Sequence, residues 1–538
     1  MNSLFLLLIG SVVLLLGHLY WHRLLVAFRF RPLVGADYRG LENFASSLPA
    51  GAIIYAIGAV ISLAWGWAPL FVWLLIAGTF VGGFAHGVVD WLTANHAGYG
   101  GLELFRHCAG RAISYCMRSL LVLLTLFLSA IVLPASVVLL KNHPDAIIAI
   151  ILHGLILLGA HALRQKLTEN LHSVLILAGL LLILPALSLL ANLDLDLDYL
   201  ATNSKSVIVG FSAIILIFIV LASNRDQRGY SNLSARIVMG AIFTLFLVVL
   251  LALLIQRPAL EFLSYYENPQ LGNAMPSITA VVSLVALGLI PKFAITQENA
   301  GEPAVAGGVL KSASSVESLW VLLLLVILLS FVSLNPERVN ELPDWSTTVL
   351  PDQFLSLITN ALQQTTAVLG LPEQAMGSFV TYLFIILSWH FLVNNHRGFM
   401  SAASIPNSNL SLLNSSRGIS ILYCLIVLAL TVTMLLWPVS LQIWIVFGVA
   451  AFLLLNLVIV SGALAALRLH QSNGLISILA LCLSGFFWWL IAQQMWVAAS
   501  HESWPTLLFI TLLAGIGIWA HGNAVRQVVE LNRRRLAH

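Results

Sequence analysis

Apolar residues run along this chain in long blocks at 3–22, 49–65, 68–92, 113–140, 145–162, 172–192, 206–223, 235–256 and 275–291. The pattern continues at 317–334, 377–395, 420–437, 440–467, 474–498 and 504–522. A helix needs roughly 20 mainly apolar residues to cross a bilayer, so the blocks predict an all-α polytopic protein of about fifteen transmembrane helices. The 68–92 and 440–467 blocks are long enough to tilt or to extend beyond the membrane. The run Leu4–Leu16 has the length of a signal-peptide core, but no basic stretch precedes it and no small-residue cleavage site follows. It therefore reads as a retained first helix.

The polar positions test this division independently. Positive residues are retained on the cytoplasmic side of a bilayer, so correctly placed spans should gather Lys and Arg in alternate loops. With the loop after the first span inside, 21 of the 25 lysines and arginines fall in cytoplasmic loops or the span ends facing them, leaving Lys141, Lys205, Arg257 and Arg338 outside. The expectation is an N-terminus outside, a C-terminus in the cytoplasm and a single integral membrane domain over 1–538, with an extracytoplasmic loop at 335–376 and a basic cytoplasmic tail at 523–538. The stretch Phe354–Leu369 in that loop is amphipathic and suits the membrane surface or a re-entrant segment.

Composition agrees. Hydrophobic residues make up 60% of the chain and charged residues 9%, against roughly 25% charged in a soluble domain. Such a chain cannot cover itself with a hydrated surface. The net charge of +3 comes without a basic stretch interleaved with aromatics, which argues against a nucleic-acid partner. The tail Arg533, Arg534 and Arg535 reads instead as a topology and headgroup anchor. Cys108, Cys116, Cys424 and Cys482 have neither zinc nor disulfide spacing and read as small apolar residues. The acidic alternation Asp194, Asp196 and Asp198 lacks the Gly and distal Glu of a calcium loop and reads as a solvated edge.

Ionisable groups at membrane depth are costly and are default functional candidates. His86 and Asp90 are one helical turn apart near the cytoplasmic end of the third span, after Gly78, Gly82 and Gly83, which permit close helix contact. They suit a proton- or substrate-linked site, and equally an interfacial pair facing the headgroups. His153 and His161 are too far apart on one helix to share a metal ion. His390, Asn456, Gln493 and Gln494 read as residues that hydrogen-bond neighbouring helices. No nucleophile elbow, zinc-protease helix, phosphate-binding glycine loop or carboxylate pair is visible, so neither an enzyme nor a cofactor is expected.

Trp73-Leu74-Leu75, Gly82-Gly83-Phe84-Ala85-His86, Gly98, Glu103-Leu104 and Gly110 keep the order and spacing of a segment of the carbon starvation protein A family of bacterial transporters, which this chain resembles. His86 stands at that family's aspartate position. Arg225-Asp226 with Tyr230 and Arg236, then Glu317-Ser318, then Trp444, Phe447, Gly448 and Ala450 extend the resemblance over about 48–500. The family's polar run before a later basic loop is replaced by Leu287–Lys292, and its membrane aspartate by Asn394 or Asn395. The resemblance implies a bacterial inner-membrane secondary transporter with inverted five-helix repeats and broken helices. It also implies proton-coupled uptake of a small organic nutrient such as a pyruvate-like acid, a peptide or an amino acid. On this reading Gly58, Gly78, Pro291 and Pro438 mark helix interruptions, and the pathway residues are His86, Asp90, Arg225, Asp226, Glu317 and Asn394. The alternative is a non-transporting relative, a membrane sensor or an accessory subunit; a homo-oligomer or a membrane partner fits either.

Overall fold

Leucine, alanine and methionine lose little side-chain freedom in a helix, and a bilayer leaves no other way to satisfy an isolated backbone. In a computed structural model, which describes residues 101–142, 205–225, 373–403, 416–436, 440–468, 474–500 and 502–536 with Ala85, Val88, Val89, Leu92, Ile151, Leu155, Ile255 and Gly370, this preference is met almost throughout. The elements are α1 (Gly101–Ala109), α2 (Arg111–Asn142), α3 (Lys205–Arg225), α4 (Glu373–Ala403), α5 (Ser416–Leu436), α6 (Ser440–Arg468), α7 (Gly474–Ser500) and α8 (Trp504–Leu536). Among the described residues five stretches are long and apolar enough to cross a membrane: Arg111–Pro134, Arg417–Leu436, Ile445–Ala465, Ile478–Ser500 and Trp504–Gln527.

Two helices form the interior. From Ile445 to Ile459 every side chain of α6 is buried, and α6 packs on α1, α2, α7 and α8. The other central helix, α2, carries α3, α4 and α5 on its flanks. Glycine lets α6 and α8 approach their neighbours closely. A Cβ at Gly462 would lie 2.5 Å from a Val88 methyl, and one at Gly517 would lie 2.7 Å from a Leu453 methyl and 3.3 Å from the Trp488 ring. Outward, α5, α7 and α8 expose Leu425 at 62%, Leu481 at 72%, Trp496 at 72% and Leu508 at 65%. Leaving one such side chain in water forgoes about 1.5–3 kcal/mol of burial. A wall of them is stable only against lipid tails.

Three contacts fix which helix ends lie together. Arg118 near the start of α2 reaches the Ser401 and Ala402 carbonyls at the end of α4. His396 of α4 bonds Ser420 at the start of α5. The turn at Gly110 abuts Gln527 of α8, whose amide a Cβ there would strike. Arg106, Arg111, Arg118, Arg397, Arg417 and Arg526 thus gather at one end, and α2 runs antiparallel to α4, as α4 does to α5.

The helix boundaries differ from the apolar blocks in three places. The block 377–395 is the middle of α4, which begins at Glu373, inside the expected 335–376 loop, and continues to Ala403. The expected 523–538 tail is helical through Leu536 as the continuation of α8. The basic loop before the fourth span contains the helix α1, joined to α2 through Gly110 at φ +95°. At the other end, α7 closes with Glu502 at φ 53°. Backbone bonds from Glu502 N to Ala499 O and from Ser503 N to Ala498 O complete a left-handed cap before α8 begins.

Candidate functional site: a polar seam between α2, α4 and α5

Hydroxyl and amide side chains on α4 recur at Ser378, Thr381, Ser388 and Asn395, all buried. At about 100° per residue they share one face with Ile385, Leu392 and Phe399. From Ser378 to Asn395 that face climbs about 25 Å, close to the roughly 30 Å of a hydrocarbon core. The packing partners of α4 also carry buried polar side chains: Thr125, Ser129 and Ser136 on α2, Ser420, Tyr423 and Thr431 on α5, and Ser212 on α3.

Toward the arginine end the seam is hydrogen-bonded shut. The Ser129 hydroxyl donates to the Thr125 carbonyl at 2.7 Å and accepts from the Tyr423 hydroxyl at 2.7 Å and from the Asn395 Nδ2 at 3.2 Å. One donor and two lone pairs are then all used. This saturation also fixes the Asn395 amide, whose NH2 must face Ser129. The His396 ring lies 3.1 Å from the Ser420 hydroxyl, which donates to the Met400 sulfur at 3.6 Å. The Tyr423 ring is packed by His396 edge-on at 5.0 Å and by Phe399 at 5.2 Å. Nearest the end, Arg118 bridges α1, α2 and α4.

Other polar atoms of these helices have no partner. A buried hydroxyl in an apolar helix ordinarily bonds the carbonyl a turn earlier, as Thr125 does with Leu121, Ser136 with Val132 and Ser461 with Leu457. Ser212, Ser378, Thr381 and Thr431 do not, and their oxygens, with the Asn395 Oδ1, are buried with no hydrogen-bond partner. Thr431 is eight residues beyond Tyr423 and Thr381 fourteen before Asn395, about 12 and 21 Å along their helices and away from the arginine end. On α6, Asn456 has both amide atoms buried and without a partner. Among the described residues no group of three or more His, Cys, Asp or Glu can hold a metal ion.

Of the pathway residues expected from sequence, His86, Asp90, Asp226 and Glu317 lie outside the described residues, as do Gly78, Gly82, Gly83, Pro291 and Pro438. Ala85, Val88, Val89 and Leu92 around the His86–Asp90 pair are helical and buried, at the i, i+3, i+4, i+7 spacing of one face. Arg225 is the last residue of α3, and Asn394 lies within α4; the side chains of both are outside what is described. Asn456 departs from the expectation of an interhelical hydrogen bond, since neither of its buried amide atoms has a partner. The side chain of His390 lies outside what is described, and His396 makes an interhelical contact of the expected kind with Ser420. Ser129, Tyr423, His396, Ser420 and the Glu103–Arg118 pair were not anticipated as a group; the available signal was hydroxyl spacing at helical period on blocks 113–140 and 420–437.

No protein-family model matches the chain, and no curated protein matches it. Among solved structures, a single-residue variant of the Eremococcus coleocola manganese transporter aligns at 11% identity over 93% of this chain and 95% of its own, with a TM-score of 0.48. A second variant of it gives 11% identity over the same shares and a TM-score of 0.43. The same transporter in complex with an aromatic bis-isothiourea substituted compound aligns at 13% identity over 92% and 95%, with a TM-score of 0.35. These scores fall short of a shared fold, and the metal belongs to that protein's description alone.

Proposed function

We propose that this chain is a multi-pass secondary transporter that passes a small polar organic solute along the seam between α2, α4 and α5. The observation that carries the reading is the buried polar face of α4, whose Ser378, Thr381 and Asn395 oxygens have no partner. An orphaned buried polar atom costs about 1–3 kcal/mol, and lipid provides no relief. Groups held open at that cost suit a path along which a solute or water makes the missing bonds in turn. The arginine end is the cytoplasmic end on this reading, because positive charge is retained there. Proton coupling rests on His86 and Asp90 as titratable groups at membrane depth, and the nutrient classes come from the resemblance to the carbon starvation protein A family.

Reconstitution into proteoliposomes tests this. Under an inward proton gradient, labelled pyruvate, a dipeptide or an amino acid should accumulate, and Asn395→Leu should reduce uptake at least tenfold, the loss of roughly one well-placed hydrogen bond to solute. Absence of flux for every solute class, with the protein shown to be folded, would remove the transporter reading.

A further inference from the structure

We propose that Arg118 is a latch that holds the arginine end of the seam closed by tying α1 to the C-terminus of α4. The inference rests on the transport reading, since only a seam that opens needs a latch. Arg118 is on α2, with its side chain 12% exposed. Its Nη1 donates to the Ser401 carbonyl at 3.2 Å and to the Ala402 carbonyl at 3.4 Å, and its Nη2 donates to Glu103 Oε1 at 3.0 Å. The last four carbonyls of a helix have no partner within it and carry the negative end of its dipole. A guanidinium supplied by the neighbouring helix satisfies both needs, and its planar fork divides between the carbonyls and the carboxylate as a lysine ammonium cannot.

The carboxylate partner holds the guanidinium against the α4 terminus. Glu103 is about one-third exposed, and its second oxygen accepts from Arg106 at 3.5 Å. When α4 leaves, Arg118 keeps its bond to Glu103, so the charge stays paired while the carbonyl bonds break. The joint between α1 and α2 is stiff by contrast. Gly110 turns against Gln527 of α8, and the Ser114 hydroxyl bonds the Leu102 carbonyl at 3.3 Å. With α1 and α2 fixed to each other, opening this end means withdrawing the C-terminus of α4 from them, which the Arg118 bonds to Ser401 and Ala402 resist alongside the contact of α4 with α5. The Ser129–Tyr423–Asn395 layer lies eleven residues further along α2, about 16 Å deeper, and forms a second closure behind the first.

Two native thiols report on the latch. Cys108 on α1 and Cys116 on α2 are 1% and 2% exposed and fall between Glu103 and Arg118 in the chain. In the full-length chain carrying Cys424→Ser and Cys482→Ser, the rate of maleimide labelling measures how often this end opens. Labelling in permeabilised proteoliposomes should rise about tenfold for Glu103→Gln, the loss of one charge-assisted hydrogen bond. It should rise further for Arg118→Gln and stay between the two extremes for Arg118→Lys. Labelling at the parent rate in Glu103→Gln and Arg118→Gln would overturn the latch, as would an equal rise in the exposed control Ser119→Ala. Should Arg118→Gln fail to fold, Glu103→Gln decides alone. Because labelling is read without flux, a latch that responds in a chain that moves no solute separates failure of the transport reading from failure of this one.

Discussion

Ser129→Ala tests the closed layer of the seam most directly. The substitution removes one oxygen and leaves two groups behind: the Tyr423 hydroxyl and the Asn395 Nδ2, at 0% and 1% residue exposure. Each orphaned buried group costs about 1–3 kcal/mol in a water-soluble protein. Within a bilayer the unfolded helices also find partners, and measured interhelical bonds average nearer 0.6 kcal/mol. The two bonds together therefore put the loss between about 1 kcal/mol on the membrane figure and about 6 kcal/mol on the soluble one. Tyr423→Phe removes the donor but leaves Ser129 bonded to Thr125 and Asn395, so its cost should be near the lower bound. Unfolding by a denaturing detergent in mixed micelles, followed by circular dichroism, gives both values and their double-mutant cycle. The control is Thr433→Ala, an exposed hydroxyl bonded only to its own helix at Ala429, whose loss should be small. A Ser129→Ala cost no larger than that of Thr433→Ala, or a cycle that closes without coupling to Tyr423, would refute the hydrogen-bonded closure.

Two further substitutions probe α6 and its neighbours. Gly517→Ala places a methyl 2.7 Å from the Leu453 side chain in the buried α6–α8 contact, and overpacking of this kind costs about 1–3 kcal/mol; a thermal midpoint in detergent equal to the parent's would show that α6 and α8 separate readily. Asn456→Leu replaces an amide with two orphaned atoms by an isosteric apolar side chain, so stability should hold or rise by about 1–3 kcal/mol; a clear fall in the same assay would mean that the amide has a bonding partner.

Which parts of this arrangement could be read from the chain follows from what each signal measures. The apolar block 440–467 and the helix α6 (Ser440–Arg468) almost coincide, because lipid-depth hydrophobicity and helix propensity end at the same residues. At α4 they part. Asn394-Asn395-His396-Arg397 lowers the hydropathy, yet Asn395 and His396 are buried because Ser129 and Ser420 receive them. That compensation is tertiary and leaves no trace in a window average. At α8 the helix outlasts its apolar block, since Arg526 and Arg533 are exposed and cost a surface helix nothing. Nine-residue α1 is too short and too polar for any span-length pattern. Ser129 is one of several similar hydroxyls in α2; its singularity lies in facing two other helices, which periodicity alone does not assign.

The distribution of open and closed polar atoms argues about function in a way that their number does not. Hydroxyls are tolerated in membrane helices when they bond their own backbone, and Thr125, Ser136 and Ser461 need no further explanation. If the seam served only to pack helices, the same local bond would be open to Ser378, Thr381 and Thr431 on equally regular helices. These three are instead unpartnered, and along α4 and α5 they stand away from the arginine end. The bonds between helices lie toward that end, though the Asn395 Oδ1 beside them is also open, and Arg118 closes the helix termini there as well. A seam bonded shut at one end and polar but unbonded toward the other is what a one-side-closed carrier requires. A uniformly saturated seam would be the more stable protein and the poorer path.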